Sequence, residues 1–415
     1  MRNSRNRLLA GGLGVMLLGA VGVPPATAHV AAEPAGQPAA VAKSDQDQLL
    51  ALAKTYLQSR TAALLSDSQG RPLSKASIAA VPLSAPQQRV AQAVDLFLAK
   101  DRQNLEAHKQ RWTSAETTVV PTTIQRQPDG SVQATVTEKT RLLFDRKLDP
   151  EAPVDTAQSV DRVFTFVQQN GTWTIASMRA ASADQTVALN DAPRAVVDAA
   201  AFGASPMIDV PEYNYGIPGP LSAGDQAEDQ QPEPDPDLPL ADAPEDGTPT
   251  AGDKDDGAAA ARLMSGYCYS CMVSYANTYW DIYNTSYRAF SNDCTNFISQ
   301  ALKYGGWAYD YGWYRSGSNW WYNRLNQTYT WSGAENWSHF APKRTSWLSS
   351  VWYLLRADVL LADWDHNGAI NHAMIVTQKT SSMVYLSYHT NDSHNTPLSI
   401  IISHNPGTTY YAART

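Results

Sequence analysis

Residues 206–261 contain a run that no folded core can absorb. Gln230-Gln231-Pro232-Glu233-Pro234-Asp235-Pro236-Asp237 alternates proline with acids, and its flanks are rich in Gly, Ala, Asp and Pro. Proline withholds backbone donors and like charges repel, so the segment is expected to be an extended, disordered linker. A calcium loop would need glycine turns at fixed offsets, where this run has proline. The 415 residues thereby divide into segments 45–205 and 262–415, each long enough for a domain. The two differ in kind. Of 12 Trp, only Trp112 and Trp173 precede residue 263, and 17 of the 20 Tyr follow it.

Hydrophobic residues make up 43% and charged residues 17%, enough apolar material for sizeable cores. The net charge of −8 leaves no basic stripe to displace counterions, so a nucleic-acid partner is not expected. Three Cys in 415 residues exclude a disulfide-dense scaffold.

The N-terminus reads as an export signal over 1–28. Arg2, Arg5 and Arg7 precede an apolar stretch from Leu8 to Val23, and Ala26-Thr27-Ala28 is a small-residue cleavage site. The stretch is short for a span, is broken by Gly and ends in Pro24-Pro25, so no integral anchor is expected after cleavage. Without adjacent arginines the general secretory route is expected, with a secreted product. Residues 29–44 read as a disordered tether.

Segment 45–205 shows helical spacing over Asp45–Ser66 and Pro86–Leu105. Alternating stretches follow at Glu116–Arg126, Ser131–Phe144, Val160–Gln169 and Thr172–Met178, with turns at Asp129-Gly130 and Asn170-Gly171. Helices followed by a curved antiparallel sheet make this domain α+β. Its element order resembles the cone-shaped nuclear-transport-factor-like domains. It holds no catalytic constellation, and His108 reads as a packed or solvated side chain.

Segment 262–415 carries the chemistry. Ser291-Asn292-Asp293-Cys294-Thr295-Asn296-Phe297-Ile298-Ser299-Gln300-Ala301-Leu302 leads to Gly305-Gly306. With Ser291 or Asn292 as N-cap and Gly305 as stop, Cys294 falls in the first turn of a helix, on the inward face with Phe297 and Ile298. Free backbone N–H groups and the positive end of the dipole favour a thiolate there. Three antiparallel strands are expected at Ala357–Asp365, Ile370–Gln378 and Met383–Asn391. A two-residue turn at Thr380-Ser381 places His389 opposite His372, and one at Ser381-Ser382 places Asn391 there instead. The first register is the expectation. Either assembles a cysteine, a histidine base and a polar group that orients the imidazole.

The Asp-Cys-Thr-Asn-Phe-Ile-Ser-Gln motif, with Asn371-His372-Ala373-Met374-Ile375-Val376-Thr377 and Tyr388-His389-Thr390-Asn391-Asp392, resembles the amidase domain of secreted bacterial proteins. That family is similar to the NlpC-type and CHAP-type peptidoglycan hydrolases of the papain-like superfamily. The resemblance covers about 265–413. It implies a papain-like α+β fold, Cys294 as nucleophile, His372 as base, and His389 or Asn391 as orienting residue. Such domains often carry Gly-Asp before the first strand, where this chain has Ala357-Asp358. The implied activity is hydrolysis of an amide bond, in peptidoglycan or a peptide, through an acyl-enzyme. An inactive wall-binding module and an acyl transferase of the same fold are the alternatives. No cofactor or metal is required.

Cys268-Tyr269-Ser270-Cys271 admits three readings. A zinc site with His389 and His394 would leave 117 residues between Cys271 and His389, far outside finger spacing. A redox pair lacks its strand and helix context. A local disulfide in an oxidising compartment is the expectation, leaving Cys294 as the free thiol. The aromatics Trp307, Tyr309, Tyr311, Trp313, Tyr314, Trp320, Trp321, Tyr322, Tyr329, Trp331 and Trp337 read as core, or as a groove wall that stacks on sugars or peptide side chains. His339, His366, His394 and His404 read as surface residues.

Overall fold

A computed structural model describes residues 40–73, 81–182, 187–204, 214–215 and 266–415. The segment expected as an export signal, and most of those expected as tether and linker, lie outside the described residues. The class is α+β: helices packed on a large antiparallel sheet.

The first helix, α1 (Lys43–Ala62), buries Leu49, Ala53, Tyr56, Leu57 and Arg60 at helical spacing. The second, α2 (Ala85–Ala107), opens on Ser84, whose hydroxyl accepts from the Gln87 N–H. A meander follows: β1 (Trp112–Arg126), β2 (Val132–Phe144), β3 (Asp155–Gln169) and β4 (Thr172–Ala180). The alternate positions of β2 are buried, as a half-buried strand requires. Both expected turns form, with Gly130, Asn170 and Gly171 all at positive φ. The short helix α3 (Arg194–Ala201) packs on α2. Beneath the meander, the Arg162 guanidinium spans Glu138, Asp191 and Asn190, while Arg60 reaches the second oxygen of Asp191. Two buried arginines thus share two acids and an amide, with Nε of Arg60 left without a partner.

The later segment supplies α4 (Tyr269–Tyr279), α5 (Cys294–Tyr304), α6 (Tyr329–Ser332), α7 (Ala334–Phe340) and α8 (Leu398–His404). Its strands are β6 (Ser346–Trp347), β7 (Val359–Asp363), β8 (His372–Lys379), β9 (Val384–Tyr388), β10 (Ser393–Pro397) and β11 (Thr409–Arg414), with β5 (Asn214–Tyr215) parallel to β11. The elements after Asn391, namely β10, α8 and β11, are not foreseen in the sequence reading.

The strand order is β1-β2-β3-β10-β9-β8-β7-β11-β5, with β4 on β3 and β6 on β11. The two segments that read as separate domains are therefore laid on one sheet. The seam is β3 against β10, where Gln158 pairs with Ser393 and Ala157 with His394. Beside it the Ser159 N–H donates to the Asp392 carbonyl, and the Thr156 hydroxyl donates to the Asn395 carbonyl at 2.7 Å. One apolar core also crosses the seam. Val94, Phe97, Trp112 and Phe144 join Met374, Leu386, Leu398 and Ile400 in it.

A second core lies on the opposite face of β7 and β8. Cys294, Phe297, Ile298, Trp307, Trp320, Trp331 and Trp337 pack there against Ala373 and Ile375. Of the aromatic stretch, Trp307, Trp320, Tyr322, Trp331 and Trp337 are thus core, while Tyr311 and Trp313 stay largely exposed. Gly305 ends α5 where a Cβ would sit 2.2 Å from Met272 and 3.0 Å from the Cys268 carbonyl.

Candidate active site

The polar residues of the Cys motif are nearly all buried, and each has a partner. The Asn296 amide donates to the Arg288 carbonyl and to Asp293, and its oxygen accepts from the Trp331 indole at 2.7 Å. The Ser299 hydroxyl donates to the Trp331 carbonyl and accepts from the Trp320 indole. Gln300 accepts the Tyr275 hydroxyl proton at 2.5 Å. These bonds lock α5 into the aromatic core, which fixes where its first residue, Cys294, can sit.

Cys294 is the first helical residue, and Asp293 is the N-cap in place of Ser291 or Asn292. The Asp293 side chain does not cap the helix. Its Oδ1 accepts from the Phe290 N–H and the Asn296 amide, and its Oδ2 lies 2.7 Å from Nδ1 of His389. The Cys294 thiol is 2% exposed and donates to Oδ1 of Asn292 at 3.4 Å. Burial pushes its pKa up to about 11, so the resting sulfur is a neutral thiol. Asn292 Oδ1 also accepts from the Thr390 hydroxyl, which itself accepts from the Asp293 N–H. The loop after β9 is thereby tied to the start of α5.

His389 is fully enclosed. Its Nε2–H donates to the Tyr279 carbonyl at 2.7 Å, and its ring lies between Phe297 at 4.1 Å and Tyr283 at 4.4 Å. Burial alone would lower its pKa, but the hydrogen bond and charge of Asp293 outweigh it, and the net shift is upward. A carboxylate thus meets one ring nitrogen and a backbone carbonyl the other.

His372 stands elsewhere. It shares a strand face with Met374 and Val376, stacks on Trp364 at 3.7 Å and meets Tyr388 edge-on. No hydrogen-bond partner meets its Nε2, and burial pushes its pKa down to about 3. The cause is register. The hairpin begins as if turned at Ser381-Ser382, with Lys379 opposite Val384. A bulge at Thr377 then advances the pairing by one, so that Val376 meets Leu386 and Ile375 meets Ser387. A one-residue step exchanges the faces of a strand. Neither expected register therefore survives as far as His372, and His372 and His389 point to opposite sides of the sheet. Asn391 lies in the turn beyond β9 at φ 84°, and its carbonyl accepts from the Ser393 hydroxyl.

The structure thus brings Cys294 and His389 to one face and leaves His372 on the other. Asp293 and the Tyr279 carbonyl were missed as partners of His389. The available signal was an acid immediately before the cysteine. Cys268 and Cys271 form the expected disulfide, and Cys294 is the free thiol. His404 corrects the surface reading: it is buried, with Nε2 2.7 Å from Asp101 on α2. Among the described residues no cluster of His, Cys, Asp or Glu could hold a metal, and no helix is long and apolar enough to cross a membrane.

Residues 266–413 match the family model described as "Putative amidase domain". A curated relative, the uncharacterized protein YhbB of Bacillus subtilis (strain 168), is 36% identical over 112 residues, 26% of this chain and 36% of the relative. The chain spans about a third of that relative's length. A solved structure, the intermembrane space region of the chloroplast protein ARC6, is similar at a TM-score of 0.21 and 8% identity, over 34% of this chain and 98% of that one. The family match gives residues 266–413 an amidase-like domain, a class that acts on C–N bonds.

Proposed function

We propose that the protein is a secreted cysteine amidase or peptidase that hydrolyses an amide bond of peptidoglycan or a related peptide. One observation carries the reading. The free cysteine of the chain starts a helix inside the amidase-like segment, on the same sheet face as a buried Asp–His pair. In this reading Cys294 gives its proton to an imidazole and attacks the amide carbonyl. The C–S bond forms, and the C–N bond breaks as the imidazolium protonates the leaving amine. Water then releases the acyl group. Backbone N–H groups at the start of α5 face the developing oxyanion. Secretion is supported by the basic, apolar and small-residue order of residues 1–28 and by the Cys268–Cys271 disulfide, which suits an oxidising compartment.

The rival reading, an inactive wall-binding module, draws on the burial and neutrality of the resting thiol. Incubating soluble peptidoglycan fragments with the wild type and with Cys294→Ala, with mass spectrometry of the products, separates the two. Hydrolysis that requires Cys294 supports the enzyme. Fragment binding without turnover by either protein supports the module.

A further inference from the structure

Helix α4 begins inside the Cys268-Tyr269-Ser270-Cys271 run, with Cys268 as its N-cap and Tyr269 as its first residue. The structure thus supplies the helix context that a redox pair needs and that the run by itself did not announce. We propose that the Cys268–Cys271 disulfide is exchange-active: it takes two electrons from an external dithiol while the fold around it stays intact. The chemistry at Cys294 plays no part in this.

The bridge has little structural work left to do. It joins residues 3 apart in sequence. The entropy that a cross-link removes from the unfolded chain grows with the loop it closes, so so short a loop removes little. Other bonds already hold the same residues. The Cys268 N–H donates to the Gly305 carbonyl at 2.9 Å, the Met272 N–H donates to the Cys268 carbonyl at 3.2 Å, and the Tyr269 hydroxyl donates to the Thr415 carbonyl at 3.0 Å. The Met272 side chain fills the space beside Gly305, where even a Cβ would collide with it. The start of α4 is therefore fastened to the end of α5 and to the residue after β11 by bonds that do not involve sulfur.

The two sulfurs are not equivalent. Sγ of Cys268 accepts the Cys271 N–H at 3.1 Å and lies 3.5 Å from the Ser270 hydroxyl, which carries the proton of that contact. The Cys271 N–H is one of the donors that a helix start leaves without an intrahelical acceptor, at the positive end of the dipole. A thiolate released at Cys268 keeps both donors and gains from the dipole. Among the described residues no hydrogen bond reaches Sγ of Cys271. Both cysteines are half-buried, whereas Cys294 is enclosed, so a reagent can reach the pair and not the third sulfur. In thiol–disulfide exchange the better-stabilised thiolate is the better leaving group. An external thiolate therefore attacks Sγ of Cys271. A new S–S bond forms there, and the Cys268–Cys271 bond breaks with its electron pair on Cys268. The second thiolate of the dithiol then attacks the external sulfur of the mixed disulfide, and Cys271 leaves. The pair gains two electrons and two protons, and the dithiol becomes a disulfide.

The test uses the full chain carrying Cys294→Ala, so that every thiol counted belongs to the pair, with dithiothreitol and glutathione as probes in native buffer at neutral pH. Dithiothreitol should open the bridge while the far-UV circular dichroism is kept and the thermal midpoint moves by less than ~4 °C. Glutathione, a monothiol, should stop at the intermediate, leaving its adduct on Cys271 and a free thiol on Cys268. Iodoacetamide labelling followed by fragment mass spectrometry locates both. In the fully reduced chain Cys268 should take iodoacetamide roughly 10-fold faster than Cys271, as a helix-start thiolate does. The wild-type chain gives a check that needs no variant to fold: the same adduct on Cys271 under glutathione.

A bridge that resists dithiothreitol until urea unfolds the chain is a structural staple, and that result overturns the proposal. So does loss of the cooperative thermal transition once the bridge opens. A glutathione adduct on Cys268, with Cys271 the faster thiol, overturns the assignment of the attacked and leaving sulfurs. No arm reads amide hydrolysis, so each result stands apart from the proposed function.

Discussion

At the scale of single residues, burial decides most of the chemistry. The Cys294 thiol is enclosed and neutral at rest, so in the folded, non-reduced protein it should resist iodoacetamide at pH 7. After denaturation without reductant it alone should be labelled, because Cys268 and Cys271 are joined. Peptide mapping checks both halves of that expectation, and label at Cys268 or Cys271 would contradict it. A second residue-scale prediction concerns Asp191. Arg60 and Arg162 hold its carboxyl below the ordinary carboxylate range, overcoming the opposing effect of burial. A depressed folded pKa gives stability that is present above the unfolded value and lost as pH falls through the folded one. Asp191→Asn should therefore cost about 3 kcal/mol at pH 7, since it leaves two buried guanidiniums short of an anion. The difference from wild type should shrink as the pH drops below about 4. Urea titrations at the two pH values measure it.

At the scale of elements, the helices, the N-terminal hairpins and the Cys-bearing helix were readable because each is set by local periodicity and turn chemistry. Leu49, Ala53 and Tyr56 trace α1, and Asn170-Gly171 is a turn whose neighbours hardly matter. The β8–β9 register was not readable. It depends on a bulge at Thr377, whose hydroxyl lies 2.8 Å from Oδ1 of Asn395 and also meets Ser387, residues on other strands. Alternation cannot announce a step that long-range contacts impose, and that step sends His372 to the wrong face. Asp293 was hidden for a related reason: its partner lies 96 residues away. Thr377→Val should cost about 1–3 kcal/mol by stripping Asn395 of its donor.

The departure from Gly-Asp before β7 also finds its meaning at this scale. Ala357 sits at φ 69°, a conformation natural to glycine, and the buried Asp358 accepts from the Leu355 N–H, the Thr415 N–H and the Arg414 guanidinium. Relief of the Ala357 strain and loss of its buried methyl oppose each other, so Ala357→Gly should stay within about 1 kcal/mol of wild type. Ala357→Val should lose about 2–4 kcal/mol, because a β-branched side chain is a genuine outlier at positive φ. Thermal unfolding of the pair tests the assignment.

At the scale of the whole molecule, the earlier segment completes the later one. Strand β3 covers the edge of β10, while Phe97, Trp112 and Phe144 close the sheet face opposite the Cys helix. His404 on α8 meets Asp101 on α2, and the Asp392 carbonyl beside His389 takes the Ser159 N–H. Once the chain is cut at a protease site inserted within 216–265, the halves should therefore stay together on gel filtration, and unfolding should remain a single transition. Two independent transitions would mean that the seam contributes little. In the proposed function, Cys294 forms an acyl-enzyme on an amide substrate. Acid quenching of the full chain during turnover of soluble muropeptides, followed by intact-mass and peptide-level mass spectrometry, tests it most directly. A covalent acyl adduct is expected on the peptide bearing Cys294, absent from Cys294→Ala. Turnover with no adduct at Cys294, undiminished in Cys294→Ala, would contradict it.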